Sequence, residues 1–159
     1  IRMGMLDRKL RIVNEHCTGD EWTRWALLAL GSVYGFEWQG DNLLLAREAL
    51  LMTFIEYYTE KFGEKPQERS IKYIAYIIAW NIFQMDGLKG VVPDSCRHNE
   101  VIIEQTLFEA MERTVLCPGC QNETYKGHNG IYCLIRDWGH KDPVTGENNR
   151  KIRFIDLIK

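Results

Sequence analysis

The sequence predicts an α/β fold in which helices flank a small parallel sheet and a β-hairpin follows at the C-terminal end. Two short apolar runs, Val33 to Trp38 and Trp80 to Met85, have the length of buried strands. A long amphipathic segment joins them, and strand, helical crossover and second strand form the usual unit of a parallel sheet. Glu37 lies near the end of the first run, and Asp86 follows the second. Carboxylates at such positions face the ligand crevice in sheets that bind nucleoside cofactors.

Composition and charge limit the classes of function. The chain has 159 residues and a net charge of −2, so it has no overall basic field to attract nucleic acid. No apolar run is long enough for a membrane helix, and we expect no membrane partner. Three of the five cysteines fall within residues 117–133, which favours a metal site in a reducing, cytoplasmic setting over a disulfide framework. The other two, Cys17 and Cys96, are interpreted as ordinary small residues.

Four helices are predicted before residue 93 because apolar residues recur there at helical spacing. Two of them precede the first strand, and two form the crossover between the strands. Their core-facing positions are Leu6, Leu10, Val13 and Cys17; Trp22, Ala26 and Leu30; Leu44, Leu51, Ile55, Tyr58 and Phe62; and Ile71, Ile74, Ile77 and Ile78. Together with the two strands, they define a predicted α/β core over residues 1–93.

Residues 94–159 are predicted to form an appendage of different character. A helix is expected from Asn99 to Met111, followed by a loop rich in Gly, Asn and Cys. Ile131 to Trp138 and Lys151 to Leu157 are expected to pair as a hairpin, joined by a solvent-exposed turn over residues 142–149.

Glu37 and Asp86 each allow two interpretations from their positions alone. A carboxylate just past a strand can accept both ribose hydroxyls of an adenosine ligand, and Glu37 is placed for this. Asp86, in the tetrapeptide M-D-G-L, can accept a hydrogen bond from an adenine amino group. The alternatives are a solvated strand end for Glu37 and a simple turn cap for Asp86.

A family resemblance gives these carboxylates a specific meaning. The segments Y-G-F-E at residues 34–37 and D-N-x-x-x-A-R-E-x-L at residues 41–50 resemble the second conserved region of class I S-adenosylmethionine-dependent methyltransferases. The wording resembles the version found in N6-adenine DNA methyltransferases from bacterial and phage restriction-modification systems. N-I-F-Q-M-D-G-L at residues 81–88 resembles their third region. The resemblance implies a partial Rossmann-like methyltransferase sheet.

The same resemblance implies particular ligands and contacts. Glu37 would contact the cofactor ribose, and Asp86, Gly87 and Leu88 would lie near its adenine. S-adenosylmethionine is the implied cofactor, and DNA is the implied partner. L-D-R-K-L-R at residues 6–11, I-R-D-W at residues 135–138 and R-F-I-D-L-I at residues 153–158 resemble further parts of these enzymes.

Two motifs of that family do not occur in the chain, which leaves several functions open. Neither the P-A-C-G-x-G cofactor loop nor a catalytic N-P-P-Y or D-P-P-Y tetrapeptide is found. We expect no DNA methylation by this chain alone, and predict a fragment or a catalytically incomplete relative. One alternative is a non-enzymatic phage-type protein that inhibits a bacterial restriction enzyme or CRISPR nuclease, with its partner docked on an exposed sheet edge. Another is a zinc-stabilised nucleic-acid-binding module.

The cysteine loop predicts a structural zinc site. Cys117, Cys120, His128 and Cys133 have the pattern C-x2-C-x7-H-x4-C, which supplies four ligands for a closed tetrahedral centre. His140 is a substitute for the fourth ligand. The alternative is a reduced C-x-x-C turn with Cys133 in the hairpin core.

Aromatic and basic residues around the hairpin could form a nucleic-acid surface by stacking and phosphate contacts. The alternative is a solvated hairpin with one packed tryptophan. The residues concerned are Tyr125, Lys126, His128, Tyr132, Arg136, Trp138, His140 and Lys141.

Overall fold

The computed structural model describes most of the chain, namely residues 4–97, 100–105, 110–141, 146 and 148–158. The chain forms two compact units. Unit 1 comprises Ile1–Phe83 and Arg136–Lys151, and unit 2 comprises Gln84–Ile135 and Ile152–Lys159. The chain therefore passes between the units three times, whereas the sequence suggested a single division after residue 93.

The first six elements follow the predicted order of helices and strands. They are α1 (Met5–His16), α2 (Gly19–Gly31), β1 (Gly35–Glu37), α3 (Gly40–Phe62), α4 (Glu68–Asn81) and β2 (Ile82–Gln84). β1 and β2 pair as a small parallel sheet, with α3 and α4 as the crossover between them. The fold is thus mixed α/β, and this sheet has two strands within the described ranges. No helix in those ranges has the length and apolar character needed to cross a membrane.

The core of unit 1 is built around Trp22, whose side chain is fully buried. Its ring meets Phe54, Tyr58 and Phe62 of α3 edge-on, with centroids 5.8, 5.7 and 5.3 Å away. Edge-to-face contacts at this separation add to the large area that aromatic side chains bury. The indole Nε1 donates a hydrogen bond to Asn14 Oδ1 at 3.0 Å, so the buried polar atom is satisfied. These contacts hold α2 against α1 and α3.

The remaining elements include two pairs of strands, which differ from the prediction to different degrees. They are β3 (Glu100–Gln105), β4 (Ala110–Val115), a helical turn α5 (Pro118–Gln121), β5 (Leu134–Lys141), β6 (Asn148–Arg153) and a 3₁₀ turn at Phe154–Leu157. β5 pairs with β6, so the two strands of the predicted C-terminal hairpin are present with shifted ends. Most of the turn predicted between them, residues 142–145 and 147, lies outside the described residues.

The helix predicted from Asn99 to Met111 is wrong over residues 100–105 and 110–111, and the rest of that segment lies outside the described residues. This segment contributes to an antiparallel pair, in which Glu100 lies opposite Val115 and Gln105 lies opposite Ala110. The β-branched run Val101-Ile102-Ile103 explains the difference. Branching at Cβ restricts side-chain rotamers in a helix and is accommodated well on a pleated strand. The apolar spacing that suggested a helix is too short to outweigh that preference.

Asn81 connects three elements of unit 1 through one buried amide. Its side chain is 1% exposed, and its Nδ2 donates to the carbonyl oxygens of Leu30 and Gly31 at 3.1 and 3.2 Å. Its Oδ1 accepts a hydrogen bond from Trp138 Nε1 at 2.6 Å. The end of α2, the end of α4 and β5 are therefore fixed to one another, and every polar atom of the amide group has a partner.

Candidate metal centre

Four potential metal ligands converge within unit 2. The ligand atoms of Cys96, Cys117, Cys120 and His128 all lie within 4.8 Å of one another. Cys117 and His128 are buried, whereas Cys96 and Cys120 are half-buried. Three of the four residues predicted from the sequence thus come together, and the fourth position is taken by Cys96.

The antiparallel pair β3–β4 explains how Cys96 reaches the cysteine loop. Because Glu100 lies opposite Val115, the chain enters and leaves this pair at the same end. Cys96 precedes the entry by four residues, and Cys117 follows the exit by two. The pairing therefore brings together two cysteines that are 21 positions apart in the sequence.

The distances around His128 match the geometry of a tetrahedral zinc site. Nδ1 lies 3.6 Å from the sulfur of Cys96 and 3.5 Å from the sulfurs of Cys117 and Cys120. With Zn–S of about 2.3 Å and Zn–N of about 2.0 Å, a tetrahedral angle places sulfur and nitrogen about 3.5 Å apart. The three measured edges agree with this value. Nδ1 is therefore the ring nitrogen that faces the site, and the imidazole proton belongs on Nε2.

The Nε2 atom of His128 is buried and has no hydrogen-bond partner within the described ranges. Metal-bound imidazoles commonly donate this second N–H to an oxygen, which fixes the ring. Here the ring is held by packing and by a hydrogen bond of its own backbone instead. The backbone amide of His128 donates to Tyr132 Oη at 2.9 Å, and the ring packs against Gly119.

Two glycines leave the space that the ligands need. A Cβ atom on Gly119 would lie 2.6 Å from Cγ of the His128 ring. A Cβ atom on Gly130 would lie 2.7 Å from Ser95 Oγ and 3.0 Å from Cys96 Sγ. Real Cβ atoms essentially never lie closer than 3.0 Å to another atom, so a side chain at Gly119 would displace the His128 ring, and one at Gly130 would displace Ser95 Oγ and crowd the Cys96 sulfur. The site therefore requires glycine, which has no side chain, at positions 119 and 130.

Hydrogen bonds fasten the Cys96 segment to the loop that carries His128. Asn129 Oδ1 accepts the amide of Arg97, and Asn129 Nδ2 donates to the Arg97 carbonyl, both at 3.0 Å. The amide of Ile131 donates to Ser95 Oγ at 3.0 Å. These hydrogen bonds lie on both sides of Cys96, so they position its sulfur before a metal ion binds.

The local electrostatics favour a thiolate at Cys117. Burial alone raises the pKa of this thiol, but amide hydrogen bonds from Asn129 and Cys120 and contacts with His128 and Cys96 lower it to about 6. The Asn129 amide lies 3.3 Å from the sulfur. Burial and hydrogen bonds to the Cys120 and Cys117 sulfurs raise the pKa of Cys96 to about 12. One sulfur of the cluster is thus ionised first and accepts hydrogen bonds from its neighbours.

Cys133 is not part of this cluster, which revises the predicted ligand set. Its sulfur donates a hydrogen bond to the Gln84 carbonyl oxygen at 3.3 Å, and its side chain is 5% exposed. Burial raises the pKa of this thiol to about 11, as expected for a cysteine packed as a small apolar residue. The substitute ligand His140 lies in unit 1, where its Nδ1 is 2.9 Å from Asp137 Oδ1.

The residues predicted to contact a nucleoside cofactor make mostly local contacts. Glu37 is the last residue of β1, and its Oε1 accepts the amides of Trp38 and Gln39 at 2.9 and 3.1 Å. Asp86 is 4% exposed, and its Oδ1 accepts the amide of Leu88 at 2.9 Å. Its Oδ2 lies 3.4 Å from Lys89 Nζ, so Asp86 stabilises the turn that contains Gly87. This arrangement corresponds to the simpler of the two interpretations of Asp86.

The predicted aromatic and basic surface divides between the units. Tyr125, His128 and Tyr132 belong to unit 2, and His128 faces the cysteine sulfurs. In unit 1 the guanidinium of Arg136 lies over the ring of Trp80, 4.6 Å from its centroid. Arg136 is thus held by a cation–π contact within its own unit.

Comparison of the chain with models of protein families, with curated proteins and with solved structures finds no match. The methyltransferase resemblance accordingly stays a prediction from the sequence. The most specific functional feature of the described residues is the cluster of Cys96, Cys117, Cys120 and His128.

Proposed function

We propose that Cys96, Cys117, Cys120 and His128 bind one zinc ion and that this ion stabilises the fold of unit 2. The observation that carries the proposal is the set of three sulfur-to-Nδ1 distances of 3.5 to 3.6 Å, which are the edges of a zinc-sized tetrahedron. Three cysteines and one histidine are also a common ligand set of structural zinc sites. A thiolate-rich set disfavours magnesium and calcium, which prefer oxygen ligands.

The ion would act as a crosslink rather than as a catalyst. Four protein ligands fill a tetrahedral site and leave no position for a water or substrate. The bound ion would join the segment before β3 to the segment after β4 and to the loop at His128. The regular elements that the structure describes within unit 2, such as β3, β4 and α5, are short, and small metal-binding modules commonly gain most of their folding free energy from the metal.

Cobalt substitution tests both the coordination number and the number of thiolates. A tetrahedral cobalt(II) site gives intense visible d–d bands, and each thiolate adds charge-transfer absorption in the near ultraviolet. We expect Cys120→Ser to remove about one third of the charge-transfer intensity, because one of three sulfurs is lost. Cys17→Ser is the control and leaves the spectrum unchanged. Weak octahedral bands, or no binding, would contradict the proposal.

A second candidate function is favoured by the arrangement of β1 and β2. We infer that unit 1 derives from the cofactor-binding sheet of a class I S-adenosylmethionine-dependent DNA adenine methyltransferase, as its sequence resemblance implies. The supporting observation is the parallel pairing of β1 with β2 across a two-helix crossover, with Glu37 at the end of β1. A carboxylate at this position is suited to accept ribose hydroxyls.

This second candidate concerns cofactor binding and not methyl transfer by the chain alone. The sequence contains neither the cofactor loop nor the catalytic tetrapeptide of that family. A methyltransferase containing this chain would need those parts from elsewhere. Glu37 is the proposed ribose contact, and DNA is the proposed substrate class.

Calorimetric titration of the zinc-loaded protein with S-adenosylmethionine tests the second candidate. We expect micromolar binding that Glu37→Ala abolishes, because the substitution removes the acceptor for the ribose hydroxyls. Glu15→Ala, at an exposed position of α1, is the matched control and retains binding. Absence of heat at millimolar ligand would reject this candidate while leaving the zinc proposal intact.

A further inference from the structure

Unit 1 contains a cleft whose size suits a small ligand. The cleft has a volume of about 590 Å³ and lies among α2, α4 and β5. Ligand sites typically enclose about 300 to 1,000 Å³ and combine apolar walls with a few polar groups. Leu27, Leu28 and Ile77 supply aliphatic surface here, and Tyr34, Tyr73 and Trp138 supply aromatic surface.

Two of the aromatic side chains are held in place by hydrogen bonds to residues that do not line the cleft. Trp138 Nε1 donates to the buried Asn81 at 2.6 Å. Tyr34 Oη donates to the carbonyl oxygen of Arg136 at 2.6 Å. Because these contacts fix the rings before any ligand arrives, little side-chain entropy is lost when a planar group stacks on them.

Besides the hydroxyl of Ser32, three polar side chains that differ in charge complete the lining. Arg24 contributes a guanidinium, Asp137 a carboxylate and Asn149 an amide. Asp137 Oδ1 lies 2.9 Å from His140 Nδ1, and Asn149 Oδ1 accepts the Gly139 amide at 3.3 Å. Both side chains are therefore oriented by their own unit. Carboxylate and amide groups recognise the amino and carbonyl edges of nucleobases, and a guanidinium recognises phosphate.

We propose that this cleft binds a nucleoside 5′-monophosphate. The base would stack on the fixed aromatic rings, its amino edge would donate to Asp137, and the phosphate would pair with Arg24. A nucleoside 5′-monophosphate combines a flat heteroaromatic ring, an amino edge and a compact anion in one molecule of a size that suits the cleft. The proposal is independent of the zinc site, and Glu37 is not among the residues that line the cleft.

Nuclear magnetic resonance titration of the zinc-loaded full chain with adenosine 5′-monophosphate tests this proposal. The indole N–H signal of Trp138 is the reporter, and we expect it to shift with a submillimolar dissociation constant. Arg24→Gln should weaken binding of the monophosphate about tenfold and leave adenosine binding unchanged, because only the phosphate contact is lost. Asp137→Asn should weaken both ligands. Glu37→Ala should weaken neither.

A matched pair of exposed leucines controls for non-specific effects. Leu28 lines the cleft and is 53% exposed, whereas Leu44 on α3 is 66% exposed and does not line it. Leu28→Glu should abolish binding, because it adds a carboxylate beside the phosphate, and Leu44→Glu should not. The proposal is overturned if millimolar adenosine 5′-monophosphate leaves the Trp138 signal unmoved. It is also overturned if ribose 5-phosphate binds equally well, which would indicate simple anion binding.

Discussion

Replacing Gly130 by alanine tests whether Cys96 is held at the metal centre by close packing. The added methyl group would lie 2.7 Å from Ser95 Oγ, 3.0 Å from Cys96 Sγ and 3.1 Å from the Cys96 amide nitrogen. Gly130 has no left-handed backbone conformation, so the substitution introduces crowding without backbone strain. Ser95 Oγ must therefore shift, and Cys96 must move away from residue 130 by a few tenths of an ångström.

The expected magnitude follows from the cost of overpacking. Inserting one methyl group into a tightly packed site costs about 1 to 3 kcal/mol. The metal-free loop can shift to relieve the contact, whereas the metal-bound form must keep the Cys96 sulfur at bonding distance. The added methyl group therefore destabilises the zinc-bound form more than the metal-free form, and zinc affinity should decrease by roughly 5- to 150-fold.

Competition with a chromophoric chelator under reducing conditions measures this change. Gly40→Ala is the control, because a Cβ atom at Gly40 meets nothing within 4 Å. Gly40→Ala should bind zinc like the unmodified chain. An unchanged affinity in Gly130→Ala would refute the reasoning, since Cys96 would then not be a constrained ligand.

Three further predictions concern pH, metal removal and the core of unit 1. Zinc must displace the proton of Cys96, whose pKa is raised to about 12, whereas Cys117, with a pKa of about 6, is largely ionised at neutral pH. Apparent zinc affinity should therefore rise with pH between about pH 6 and about pH 8, and binding should release protons, as pH-stat titration would record. Chelation should speed amide hydrogen exchange over residues 117–133 and leave α1 to α4 unchanged, as mass spectrometry would show. Asn81→Ala should destabilise unit 1 by about 3 kcal/mol in urea unfolding, because it leaves buried partners unsatisfied, whereas the exposed Asn42→Ala should cost about 0.5 kcal/mol or less.

The elements of unit 1 were predictable because their signals are local. Apolar residues at helical spacing indicated α1 and α2, and the buried residues Leu6, Leu10 and Val13 lie where that spacing placed them. Leu44, predicted on the core face of α3, is instead 66% exposed. The strands β1 and β2 lie within the two apolar runs, although each is shorter than predicted. The end of α3 was marked by Gly63, which adopts a left-handed conformation with φ of 74°.

The metal ligands were predictable only where they are close in sequence. Cys117, Cys120 and His128 lie within 12 consecutive residues, so their spacing alone suggested a common ion. Cys133 satisfied the same spacing rule, but its side chain instead packs beside Gln84. Spacing limits which residues can meet, and the direction of each side chain decides which of them do.

Cys96 was missed because its approach depends on the pairing of β3 with β4. A helix over residues 99–111 would be about 20 Å long and would carry Cys96 and Cys117 to opposite ends. Paired strands return the chain to its starting point, which brings the two sulfurs together. The β-branched residues at 101–103 and 114–115 were the available signal for strands.

The most direct test compares zinc affinity in Cys96→Ser and Cys133→Ser. Both substitutions replace one sulfur of unit 2, but only the first lies within 3.6 Å of His128 Nδ1. A centre built on Cys96 predicts one zinc ion per chain, bound far more weakly in Cys96→Ser and with unchanged affinity in Cys133→Ser. Full affinity in Cys96→Ser together with loss in Cys133→Ser would contradict the proposed centre.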